Sequence, residues 1–186
     1  MATRLILLCS GATASSRSAT FPDKDDSLDE GGQTKAKQLR LSTSRSVVVF
    51  ASPWRVAGET ATLVGLAPRQ EPLIADIGRG RWAGRSLAEI QESDGEGLTA
   101  WFGNPAAATP EGETMDQVVA RIAPWMEQMS AADAAIVAVT HAAVIRATIA
   151  HALQIPVTAT LNIDIAPLSK VILSFNRLWR LQALES

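Results

Sequence analysis

Residues 5–8, Leu5-Ile6-Leu7-Leu8, form an unbroken aliphatic run that stops abruptly at Cys9-Ser10-Gly11-Ala12-Thr13. Large aliphatics with no polar alternation suit a strand buried on both faces, which a parallel sheet covered by helices on either side provides. The small and polar residues that follow read as a loop delivered at the carboxyl end of that strand. This one feature points to an α/β sandwich with a site at its strand ends.

The rest of the chain repeats the pattern. Further strands are expected at 47–50, 135–139, 161–165 and 171–175, with a weaker one at 179–184. Helical spacing marks 34–41, after Gly31-Gly32, and 54–64. Ser86-Leu87-Ala88-Glu89 and Thr114-Met115-Asp116-Gln117 are capping boxes, the second opening a helix through about Met129 with Pro124 inside it. A helix over 142–153 is stopped by Pro156. The segment 93–110, rich in Gly, Ala and Pro, reads as a loop over one end of the sheet. Alternating strands and helices predict a three-layer α/β/α sandwich with a mostly parallel central sheet, and the last strands read as antiparallel additions. In such folds sites gather at the carboxyl ends of parallel strands. Cys9-Ser10-Gly11, Ala51-Ser52-Pro53 and Thr140-His141 are therefore the places to look.

Bulk properties narrow the class. A chain of 186 residues, 47% hydrophobic and 19% charged, fits one domain spanning 1–186. A net charge of −2 without like-charge blocks argues against nucleic-acid and membrane partners. The single Cys9 excludes an intrachain disulfide, and the N-terminal apolar run is shorter than the roughly 7–15 residues of a signal peptide core. A cytoplasmic protein is expected, and no cofactor or metal.

Several motifs carry a resemblance over nearly the whole chain. Residues 4–13 resemble a first strand that ends in Arg-His-Gly. Phe21-Pro22-Asp23 with Asp26-Ser27-Leu28-Asp29-Glu30-Gly31 is similar to Asp-x-Pro-Leu-Thr-x-x-Gly, and Ser52-Pro53-Trp54-Arg55-Val56-Ala57-Gly58-Glu59-Thr60-Ala61 to Ser-Pro-Leu-x-Arg-Ala-x-x-Thr-Ala. The stretch from Asp76 to Gly84 resembles Glu-x-x-Phe-Gly-x-Trp-Glu-Gly. Gly112-Glu113-Thr114 resembles Gly-Glu-Ser, and Val139 to Arg146 resembles Val-Thr-His-Gly-Gly-Val-Ile-Arg. In this order they resemble the motifs of the histidine phosphatase (phosphoglycerate mutase-like) superfamily.

That resemblance implies a reaction. In the family a neutral His attacks a phosphoryl group, two Arg and a second His bind the phosphoryl oxygens, and an acid protonates the leaving oxygen. Matched position by position, the nucleophile falls on Ser10, the Arg before it on Cys9, the second Arg on Val56, the acid on Asp76 and the second His on His141. The motif is degenerate: of the phosphate-pocket positions only His141 is kept. Losing one transition-state donor already costs about 10²–10³ in rate.

Three readings follow. The first is a pseudoenzyme that keeps a cleft for a small phosphorylated ligand or anion, or for a partner. The second is an active phosphomonoesterase or phosphotransferase with a rearranged site. There Ser10 or water is the nucleophile, His141 the base, Asp76 the acid, and Arg79 or Arg81 the phosphate clamp. The third is an interaction or scaffold protein, with a homodimer as its expected form. Cys9, Gly11, Thr13, Arg55, Arg79 and Arg81 are the candidate ligand-binding residues, with Arg17 as a further cation. Cys9 reads as a structural thiol and His151 as a packed or surface residue. Trp54, Trp82, Trp101, Trp125 and Trp179 read as packing residues, of which Trp101 is the one expected to reach the pocket.

Overall fold

The computed structural model describes residues 3–41 and 47–186. Its elements run β1 (Thr3–Cys9), α1 (Ala14–Arg17), α2 (Glu30–Gln38), β2 (Val47–Ala51), α3 (Arg55–Leu63), β3 (Arg69–Gln70), α4 (Leu87–Gly103), α5 (Met115–Ser130), β4 (Ala135–Thr140), α6 (Ala142–Leu153), α7 (Val157–Thr160), β5 (Lys170–Asn176) and β6 (Leu178–Glu185), with 3₁₀ turns at Pro72–Ile74 and Gly80–Trp82. The strands form one sheet in the order β3-β2-β4-β1-β5-β6. Strands β3, β2, β4 and β1 are parallel, and β5 and β6 are added antiparallel.

Strand β1 is central and buried on both faces, as its composition requires. Leu5, Leu7 and Cys9 point into the core beneath α5 and α6, where Ile122, Trp125 and Ile145 are fully buried. Ile6 and Leu8 point the other way. Leu8 packs with Ala57 and Ala61 of α3, whose small side chains let that helix lie close to the sheet. The two clusters on opposite faces make the three layers.

Three local expectations are corrected. The helix expected at 34–41 is α2, Glu30–Gln38. It starts earlier because the Asp29 carboxylate caps the Gly32 N–H at 2.6 Å. Gly32 is needed there, since a Cβ would sit 2.5 Å from the Ala12 carbonyl oxygen. The segment 93–110 is not wholly a loop, because α4 runs to Gly103. Asp94 breaks the helix with φ −156° and ψ 54°, then caps the continuation through the Gly97 N–H at 3.1 Å. Burial of Leu98 against Phe21, Trp82 and Ile90 outweighs the low helix propensity of Gly95 and Gly97. The expected strand 161–165 is a turn after α7. The place beside β1 is taken by β5, and Ile163 and Ile165 pack into the main core from the loop.

Candidate functional site

Parallel pairing builds the site. Cys9 lies opposite Thr140 and Ala51 opposite Val139, so three strands end at one level. The next residues lock together: the Ser10 N–H donates to the Thr140 carbonyl at 2.7 Å, and the Ser52 N–H to the Val139 carbonyl at 2.9 Å. Ser10, Ser52 and His141 thus meet although they are far apart in sequence. His141 stands at the start of α6, and its ring is buried.

The ring is held from both sides. Its Nε2 lies 2.8 Å from the Ser52 hydroxyl oxygen, which also accepts the Trp54 N–H at 3.2 Å. Its Nδ1 lies 3.5 Å from both the Ser10 hydroxyl oxygen and an Asp76 carboxylate oxygen. A carboxylate accepts only, so the network favours a proton on Nδ1 facing Asp76 and a Ser52 hydroxyl that donates to Nε2. Trp54 stacks edge-on against the ring at 5.3 Å between centroids.

Asp76 is held in place by a residue that sequence motifs do not reveal. Arg121 of α5 donates to the Leu73 carbonyl at 2.7 Å and the Ala75 carbonyl at 3.1 Å, and pairs with Glu113 at 2.9 Å. Glu113 in turn accepts the Gly78 N–H at 2.8 Å. The loop carrying Asp76 is therefore pinned to the start of α5 by a half-buried ion pair.

These elements enclose a cleft of about 280 Å³. Its walls include Ser10, Gly11, Thr13, Val56, Trp54 and His141, with an edge of Cys9. Asp23, Asp26 and Asp76 also line it, and among the described residues no Arg or Lys does. Sequence reading places Asp23 and Asp26 in a motif and Trp54 among packing residues, but not in the cleft wall; the two aspartates reach it through the turn after α1, and Trp54 from the start of α3. Gly11 and Thr13 serve the loop itself: the Gly11 N–H donates to the Thr60 hydroxyl at 3.0 Å, and Thr13 caps α1.

The expected cations lie elsewhere. Arg55 is exposed and pairs with Glu59 at 2.7 Å, in a separate groove with Ser27 and Gln33. Arg81 is two-thirds exposed and pairs with Glu111 at 3.3 Å. Arg17 pairs with Asp29. Arg79 and Trp101 are absent from the cleft wall and stand together beside Phe21. His151, on α6, lines a groove between that helix and the β5–β6 hairpin.

Residues 5–184 match the sequence profile of the histidine phosphatase superfamily, branch 1. The chain belongs to the histidine phosphatase superfamily. Solved structures of like fold include the alpha-ribazole phosphatase from Shigella flexneri, with a TM-score of 0.87 and 22% identity over 98% of this chain and 96% of that one. A mycobacterial glucosyl-3-phosphoglycerate phosphatase, solved as a complex with VO3, gives a TM-score of 0.81 at 25% identity over 97% of both chains. A structure described as mycobacterial hydrolase 1 gives 0.84 at 24% identity, covering 100% of this chain and 99% of that one. A search of curated proteins returned no match. Among the described residues of this histidine phosphatase superfamily member, no helix is long and apolar enough to cross a membrane.

The electrostatics of the site set a testable pH response. Burial lowers the pKa of His141 below its ordinary 6.5; Asp76 opposes this and Arg121 adds to it. Below about pH 6.5 the unfolded chain therefore takes up a proton that the folded chain refuses. Stability should fall with decreasing pH by up to about 1.4 kcal/mol per unit from this group, until the folded pKa is reached. Urea unfolding at pH 5.5 and 7.0 should show a smaller loss in His141→Gln than in the native sequence. Equal losses would remove His141 as the source.

Proposed function

We propose that this superfamily member does not run phosphohistidine chemistry and uses its strand-end cleft to hold a ligand. The observation that carries the reading is the cleft wall. Ser10 and Val56 stand where the family resemblance implies a nucleophilic His and a phosphate-binding Arg. Three aspartates line the wall among the described residues and no cation does, so a phosphoryl dianion would meet like charge. The favoured tautomer of His141 adds to this, because an Nδ1 carrying its proton toward Asp76 has no lone pair to accept one from Ser10.

The rival is an active phosphatase with a rearranged site, as the names of its structural relatives suggest. The 3.5 Å approach of Ser10 to His141 is the contact that favours it. One assay separates the two. With p-nitrophenyl phosphate at millimolar concentration, the native protein is expected to give no release above the buffer rate, and Ser10→Ala no change. Turnover abolished by Ser10→Ala or His141→Ala would sink the proposal and establish the rival.

A further inference from the structure

Among the described residues, Arg79 is the charged side chain whose buried nitrogens lack any hydrogen-bond partner. Its Nε and Nη1 are both enclosed and unpaired. The guanidinium lies against the Phe21 ring, 5.4 Å from the centroid, and the Trp101 ring at 5.5 Å. Trp101 has the same defect, with its indole Nε1 buried and unpaired. Three donor nitrogens therefore sit in one aromatic cluster with no acceptor.

The rings do not answer this need. An aromatic face stabilises a cation through its quadrupole, but guanidinium and indole N–H groups are donors only and still require oxygen lone pairs. Buried donors in native proteins almost always find a partner, and an uncompensated buried charge is strongly unfavourable. Asp76 is near enough to be felt electrostatically but forms no ion pair with Arg79. The backbone around Arg79 is anchored. The Thr109 hydroxyl donates to its carbonyl at 2.8 Å, and the Gly80–Trp82 turn follows directly. Trp125 also has an unpaired indole nitrogen, but it lies in the main core, within the α5–α6 side of the sheet, and is a neutral group.

The chain links the cluster to the cleft at two points. Phe21 immediately precedes Pro22 and Asp23 in the cleft wall, and Asp76 of that wall lies three residues before Arg79. We propose that Arg79 and Trp101 form an oxyanion site at the edge of the cleft, which receives the carboxylate or phosphate of an acidic small-molecule ligand. The ligand is oriented by charge: its anionic end goes to Arg79, and its uncharged body lies along the acidic wall beside Ser10 and His141. This rests on the reading of the cleft as a ligand site. It places the cationic contact on a loop, not at the strand ends.

Thermal unfolding tests it, with inorganic phosphate and acetate titrated separately at matched ionic strength against sodium chloride. The native protein should show a saturable rise in melting temperature with at least one of the two anions beyond the chloride reference. A response to phosphate alone identifies a phosphorylated ligand, and one to acetate alone a carboxylic acid. Arg79→Met keeps an extended apolar chain between the rings. It should abolish the response and melt higher than the native protein in chloride, because an unpaired buried charge is gone. Trp101→Phe keeps the stacking and removes the indole donor, and should raise the half-saturating anion concentration about tenfold. A native protein that responds to neither anion beyond chloride overturns the proposal, as does an undiminished response in Arg79→Met. If Arg79→Met does not fold, an unchanged midpoint in Trp101→Phe overturns it instead. Turnover of p-nitrophenyl phosphate is read separately. It would retire the ligand-binding reading of the cleft whatever the anions do, whereas anion silence without turnover would retire only the Arg79 site.

Discussion

The native protein at pH 7.5 is expected to react with a soluble aromatic disulfide at least about a thousandfold more slowly than the urea-unfolded chain. The reactive species is the thiolate, and Cys9 has its pKa pushed from 9.0 up to about 12. Burial is the main cause and the Asp76 carboxylate the second. Arg146 and a backbone hydrogen bond at Leu168 pull the other way without prevailing. Three pKa units at constant pH make the thiolate about a thousandfold scarcer, and the 5% exposure of the residue slows attack further. Asp76→Asn should recover part of the rate, since it removes the second cause and leaves the packing of β1 in place. A native rate within tenfold of the unfolded one would mean that the end of β1 is open to solvent. On the expected outcome the thiol at the edge of the cleft is a packing group, inert toward electrophiles that enter.

Gly80→Ala should cost about 2–5 kcal/mol of folding free energy, from left-handed backbone strain plus overlap in a packed site. Gly80 has φ +51°, and a Cβ there would lie 2.0 Å from the Pro110 carbonyl oxygen and 2.5 Å from the Glu111 carbonyl carbon. Those atoms are backbone and are held by the Arg81 N–H, which donates to the Pro110 carbonyl at 2.9 Å. Gly65 supplies the control. Its φ is +80°, but no atom lies within 4 Å of its Cβ position, so Gly65→Ala should cost only about 1 kcal/mol from the left-handed conformation. Urea unfolding of both variants measures the difference. Similar losses at the two glycines would show that the 78–84 and 109–113 loops are not locked together. The consequence reaches the site, because Arg79 is presented by the same turn.

Reading the sequence recovered the elements whose signal is local. The runs 5–8 and 135–139 are aliphatic because both faces of β1 and β4 are buried, and α6 ends at Leu153 as expected, although the left-handed Gln154 terminates it before Pro156 is reached. The capping boxes at Ser86 and Thr114 form as their spacing requires. Where local and tertiary signals disagree, the tertiary ones prevail. Gly95 and Gly97 are helical because Leu98 must reach the aromatic cluster, and residues 161–165 are not a strand because the sheet has no vacant edge beside β1. The same division holds in the site. Ser10, Asp76 and His141 are legible from their places at strand ends and in motifs, and the structure brings them within 3.5 Å of one another's partners around one ring. The strand end at Ser52 is legible too, but its bond to His141, and the role of Arg121 in holding the Asp76 loop, are revealed only by contacts spanning many residues.

By itself the sequence determined the α/β class, the superfamily and the ends of β1, β2 and β4 as the location of the cleft. These depend on hydrophobic period and on short motifs, which are local properties of a chain. The charge of the cleft was settled only by the tertiary structure. Arg55, Arg79 and Arg81 are all candidate cations in one dimension, with Arg79 and Arg81 the foremost, yet Arg55 and Arg81 find surface carboxylates while Arg79 is enclosed by rings without an acceptor. Asp23 and Asp26 enter the wall only because the loop after α1 folds back over the strand ends. Charge acts through distance and burial, and neither is written in the order of residues.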